Sequence, residues 1–171
     1  MLPLHTILHP TDFSDRSEYA FRLACSLARD YSARLVVLHV VSPPVVIYGE
    51  GVVPPEPEAF RAEAQEKLNR LEAPAPGVGM ERRLTEGDPV AEILRLAQES
   101  GADLIVLGTH GRTGLGRLLM GSVAEQVVRG APCSVLVVKM PKRVPIAQPA
   151  QQATSELPTA APAMQGTSLV R

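Results

Sequence analysis

The sequence predicts an α/β fold of three layers, with a five-stranded parallel sheet between two layers of helices. Three observations predict it. Runs with strand character alternate strictly with segments of helical period between residues 4 and 139, and that alternation places the strands parallel, with crossover helices on both faces. The run Leu35-Val36-Val37-Leu38-His39-Val40-Val41 is apolar almost throughout, as a strand covered on both faces must be. A chain of 171 residues is long enough to bury most of such a sheet without a disulfide or metal staple.

Ile7 and Leu8 form a short strand pattern that ends at His9-Pro10. Ser14 then offers a helix N-cap, with Asp15 and Glu18 in the first turn, where acidic groups face the positive end of the helix. Ala20, Leu23, Ala24, Leu27 and Tyr31 recur at helical spacing. The second strand spans Arg34 to Val41, and the Pro-, Gly- and Val-rich stretch from Ser42 to Pro57 reads as a loop. Phe60, Ala64, Leu68 and Leu71 mark a second helix within Glu58 to Glu72, and Val78 to Leu84 is a polar third strand near a sheet edge. Asp88-Pro89 starts a third helix, since Asp caps and Pro suits the first turn. Its apolar stripe is Val90, Ile93, Leu94 and Ala97, and Gly101 stops it. Asp103 to Leu107 is a fourth strand, and Gly108 to Gly121 a glycine-rich loop. Ser122 to Arg129 is a helix followed by Gly130, and Ser134 to Lys139 the last strand. Periodicity leaves two sheet orders open, 3-2-1-4-5 and the flavodoxin-like 2-1-3-4-5.

Composition narrows the function. Lys and Arg number 17 against 18 Asp and Glu, so no bulk positive field exists to hold a nucleic-acid backbone. Trp is absent, and three Phe and three Tyr leave few platforms for stacking bases. No run reaches the roughly 18 apolar residues of a membrane span, and no basic segment leads into an apolar one at the start. A cytoplasmic protein with neither nucleic-acid nor membrane partners is expected. Cys25 and Cys133 sit in apolar contexts and read as reduced, buried core residues. His9, His39 and His110 lack metal-ligand spacing. From Pro141 onward, 15 of 31 residues are Pro, Ala or Gln and four are charged. That composition predicts a disordered tail over 141–171, after a folded domain over 1–140.

The segment from Gly108 to Ser122 carries the chemistry. It follows a buried strand and enters a helix, as a phosphate cradle requires. Glycines let backbone N–H groups approach phosphate oxygens, and the next helix presents its positive end. Ser122 adds a hydroxyl, while His110, Arg112 and Arg117 supply nearby donors. No Gly-Lys-Ser/Thr occurs, so the loop is not a Walker A motif. It follows the fourth strand, not the first, so it is not the usual dinucleotide fingerprint. From the residues alone, a plain strand-to-helix connection stands beside the phosphate loop as a reading.

Gly108-x2-Gly111-x9-Gly121-Ser122 resembles the G-x2-G-x9-G-[S/T] loop of ATP-binding universal stress proteins. His9-Pro10-Thr11-Asp12-Phe13-Ser14 resembles that family's first strand-to-helix turn. Asp103 to Gly111 resembles its fourth strand and loop entry, and Ala131 to Val138 its closing strand. The resemblance implies the order 3-2-1-4-5 and ATP at the switch point, with Mg²⁺ carried on its phosphates. It implies that Asp12 faces adenosine, that the Val40 backbone reads the adenine edge, and that Gly108 and Gly111 border ribose and phosphate. By the same resemblance Gly121, Ser122 and Val123 would hold phosphates, and Pro10, Thr11, Leu107, His110 and Arg112 complete the expected ATP-binding set. The family also points to a homodimer joined through Ser134 to Lys139. With no water-activating carboxylate or lysine in the loop, a nucleotide-binding regulatory module is expected, with no catalytic residues assigned and weak ATP hydrolysis at most. A slow ATPase or nucleotidyl-transfer enzyme and a ligand-free interaction domain are the alternatives.

Overall fold

The computed structural model describes residues 4–42, 57–73, 77–109 and 121–141. Strand and helix alternate in the order β1 (Thr6–Pro10), α1 (Asp15–Tyr31), β2 (Arg34–Val41), α2 (Pro57–Arg70), β3 (Met80–Glu86), α3 (Pro89–Glu99), β4 (Leu104–Gly108), α4 (Ser122–Gly130) and β5 (Ser134–Val138). The strands form a parallel sheet in the order β3-β2-β1-β4-β5, which settles the choice that periodicity left open. These elements lie in one unit, Met1–Pro141. The tail expected over 141–171 falls, apart from Pro141, outside the described residues, as do residues 43–56 of the expected long loop.

Two cores fill the two faces of the sheet, because successive residues of a strand point to opposite sides. Ile7, Leu35, Val37 and Val106 join Ala20, Phe21, Ala24, Cys25 and Ala28 of α1 and Leu68 of α2. Leu8, Val36, Leu38, Ile105 and Leu107 join Ile93, Leu96 and Ala97 of α3 and Ala124 and Val127 of α4.

Local signals place the helix ends. The Ser14 side chain accepts from Ser17 N, and the Asp88 side chain accepts from Ala91 N at 2.9 Å. Gly101, with φ +59, lies just past the C-cap of α3, a conformation glycine adopts without strain.

Several expectations shift. The buried face of α1 is Ser17, Ala20, Phe21, Ala24, Cys25 and Ala28, while Leu23 and Tyr31 are exposed. Cys133 is only half-buried, unlike Cys25. Both thiols are pushed up by burial, Cys25 to about 11. β3 runs two residues later than expected, because pairing with Val40 and Val41 carries it through Thr85 and Glu86. Gly130 belongs to α4 and lies against Leu94.

Candidate nucleotide site at the switch point

The chain leaves β1 toward β2 on one side of the sheet and β4 toward β5 on the other, so a crevice is expected beyond the carboxyl ends of β1 and β4. The described residues show how the sequence opens it. Asp103 N donates to Thr6 O at 2.9 Å, so by strand alternation Thr6, Leu8 and Pro10 turn their backbone toward β4. Proline has no N–H to donate there. The β1–β4 register ends at Leu8↔Ile105, whereas β4 continues beside β5 to Gly108↔Val138. Leu107 and Gly108 thus pass Pro10 without a ladder between them.

His9 spans the strands where that ladder stops. Its Nδ1 lies 2.8 Å from Val106 O. A carbonyl only accepts, so Nδ1 carries the proton and Nε2 keeps a lone pair. The ring is fully buried and packs on Phe21. Burial drives its pKa down to about 4, against the Val106 hydrogen bond and the Asp12 carboxylate, which both raise it. His9 is neutral at physiological pH and serves the fold.

The turn after β1 is tightly determined. Thr11 N donates to Leu38 O at 2.8 Å. Thr11 Oγ1 accepts from Phe13 N at 3.1 Å and from Ser17 Oγ at 3.0 Å. Asp12 Oδ1 accepts from Ser14 N at 3.1 Å and from Ser14 Oγ at 2.7 Å. Ser14, not Asp12, is the N-cap of α1; Asp12 steadies the cap. Asp12 Oδ2 is buried and has no hydrogen-bond partner among the described residues. On the β1 side of the crevice, Val40 lies two residues beyond Leu38 and turns its backbone to the same side, past the last β1–β2 pair, Pro10↔Leu38.

On the β4 side, Thr109 N donates to Val138 O at 3.1 Å, and Gly121 N donates to Thr109 O at 2.6 Å. That second bond brings the two ends of the glycine-rich loop together. The helix ladder of α4 begins with Glu125 N donating to Gly121 O at 2.9 Å. The N–H groups of Ser122, Val123 and Ala124 therefore have no acceptor within the helix. α1 and α3 start from a capping side chain, but Gly121 offers none.

The described members of the expected set thus fall at one end of the sheet: Pro10, Thr11 and Asp12 after β1, Val40 near the end of β2, Leu107 and Gly108 at the end of β4, and Gly121, Ser122 and Val123 at the start of α4. His110, Gly111 and Arg112 lie outside the described residues. Sequence reasoning missed Thr109, whose carbonyl closes the loop, and Phe13 and His39, which pack on each other beside Asp12. Nothing in the residue types singled them out.

Comparison with known proteins agrees with this architecture. The model of the universal stress protein family matches residues 3–139. A universal stress protein of Methanocaldococcus jannaschii is 43% identical over 141 residues, covering 80% of this chain and 83% of that protein. The solved universal stress protein UspA of Lactobacillus plantarum superposes with a TM-score of 0.68 at 29% identity, covering 81% of this chain and 99% of that one. A universal stress protein in complex with cAMP gives a TM-score of 0.56 at 29% identity, covering 82% and 100%. The Archaeoglobus fulgidus universal stress protein in complex with dAMP gives 0.56 at 28% identity, covering 81% and 100%. Matched over most of its length in sequence and superposing with solved members of that family, the chain belongs to the universal stress protein family.

Proposed function

We propose that this protein is an ATP-binding regulatory module, with the nucleotide lying across the switch point between Asp12 and the start of α4. The observation that carries the reading is the pairing of an acceptor without a donor on one side with donors lacking helical acceptors on the other. Asp12 Oδ2 is buried without a donor among the described residues, and leaving such an atom unmet costs about 1–3 kcal/mol. A ligand hydroxyl or N–H meets it. The N–H groups of Ser122 and Val123, at a helix start without a side-chain cap, suit phosphate oxygens. Two family structures carry cAMP and dAMP, which share an adenine and a phosphate, and this supports an adenine nucleotide here. Triphosphate is inferred from the loop pattern Gly108-x2-Gly111-x9-Gly121-Ser122. In this reading Mg²⁺ rides on the phosphates, the domain spans 1–140 with a tail over 141–171, and the protein works in the cytoplasm. Among the described residues no helix is long and apolar enough to cross a membrane.

The reading includes a homodimer through β5. Among the described residues that strand pairs only with β4, and an open edge invites a partner strand. Leu136, Met140 and Val128 expose apolar surface on or beside it.

The test is to denature the purified protein and identify what it releases by chromatography. An adenosine triphosphate peak in proportion to protein supports the reading. A preparation that releases no nucleotide and takes up none from added ATP contradicts it.

A further inference from the structure

Phe13 adopts φ +61, a left-handed conformation that is uncommon for a bulky side chain. Among the described residues the other non-glycine with positive φ is Ser32, which forms the C-cap of α1 and ends that helix in an ordinary way. Phe13 ends no helix. It sits between Asp12 and the N-cap Ser14, and such strain persists only where neighbours determine it.

The neighbours are identifiable. The Phe13 ring lies 4.3 Å, centroid to centroid, from the ring of His39, tilted by 37°. His39 Nδ1 lies 2.7 Å from Thr11 O, and since a carbonyl accepts, Nδ1 donates. His39 thus holds the residue before Asp12 by a hydrogen bond and the residue after it by ring packing. It sits on β2, one residue before Val40 and inside the β2–β3 register, so its own backbone is fixed by the sheet. Asp12, held on both sides, turns one oxygen to Ser14 and leaves the other buried without a donor among the described residues.

We infer that His39 is a positioning residue for the nucleotide site: through Thr11 O and the Phe13 ring it holds Phe13 left-handed and so fixes the direction of the Asp12 carboxylate. This rests on the reading of the switch point as an ATP site. His39 touches no ligand in this account; it acts on Asp12 through the turn.

The test is a cycle of variants titrated with ATP by calorimetry. His39→Ala should weaken ATP binding about tenfold, the order expected from one lost hydrogen bond and a released strain. His39→Asn, whose amide N–H can reach Thr11 O, should recover part of that loss. In a Phe13→Gly background, where the left-handed turn needs no holding, adding His39→Ala should change affinity about twofold or less. Equal losses in both backgrounds, or an unchanged affinity in His39→Ala, would overturn the inference. A second readout needs no nucleotide. The Phe13 amide, which donates to Thr11 Oγ1, should exchange its hydrogen at least about tenfold faster in His39→Ala, while amides of the sheet core keep their protection. Unchanged exchange at Phe13 also overturns the inference. A parent protein that binds no ATP, yet shows the faster Phe13 exchange in the variant, would overturn the nucleotide reading and leave the hold on the turn established.

Discussion

Gly108 stands so close to α1 that a Cβ built on it would lie 3.2 Å from the Arg16 carbonyl oxygen. The last residue of β4 is thereby pressed against the first turn of the helix that follows Asp12. The atoms it would meet are backbone, from Arg16 and Ser17, so they cannot swing aside as a side chain could.

Gly108→Ala should therefore destabilise the protein by about 1–3 kcal/mol, the usual cost of overpacking, and Gly108→Val by more. Urea unfolding measures it. An alanine variant as stable as the parent would mean that α1 does not pack on β4 this closely.

The buried His9 makes stability depend on pH in a defined window. Its pKa is lowered from 6.5 to about 4 in the folded protein, so between those values the unfolded chain binds the extra proton. Stability should be complete above pH 6.5 and fall as the pH drops toward 4, by about 3 kcal/mol at most. His9→Phe should flatten that window. Asp103 acts at lower pH: its carboxyl is held down by the Thr6 and His5 N–H groups, so its contribution is lost as the carboxylate itself is protonated. Unfolding curves at pH 4 to 7 that match for parent and His9→Phe would contradict the burial of a neutral His9.

The open edge at β5 gives a prediction about assembly. The parent should scatter light as a dimer at micromolar concentration. Leu136→Glu, at a side chain already 37% exposed, should leave the fold intact and halve the mass. Val137→Pro removes a backbone donor from the strand and should yield monomers or unfolded chains. A monomeric parent would exclude the edge-to-edge dimer.

What could be read from the sequence was what is decided locally. Ser14 and Asp88 cap the helices that their side chains announce, and Gly101 stands where an end of helix needs positive φ. The pairing of β2 with β1 and of β1 with β4 depends on contacts far apart in the chain, and period alone could not order the strands. The α1 stripe read from period includes Ala20 and Ala24, which are buried, but it reaches Leu23 and Tyr31, which are exposed, and passes over Ser17, Phe21, Cys25 and Ala28, because the helix turns a face rich in small residues to the sheet. Gly130, expected just after α4, is its last residue and a point of close approach to Leu94. At the site, Asp12 and Gly121 were visible as residue types in a pattern. The hold on Phe13 was not, because neither glycine nor asparagine marks its left-handed turn.

Titrating ATP into the parent and into Gly121→Val in the calorimeter decides whether the switch point binds the nucleotide. Gly121 has φ −72 and ψ 155, an extended backbone that valine also adopts, so the variant should fold. What it adds is a branched side chain at the start of α4, where the proposed nucleotide puts its phosphates. The parent should bind one ATP per chain, and Gly121→Val should bind at least about tenfold more weakly, a loss of about 1.4 kcal/mol, with the fold kept and the melting temperature lowered only by the exchange of a glycine N-cap for valine. A parent that shows no saturable binding, or a valine variant that binds ATP as tightly as the parent, would mean that no ATP phosphate lies at the start of α4.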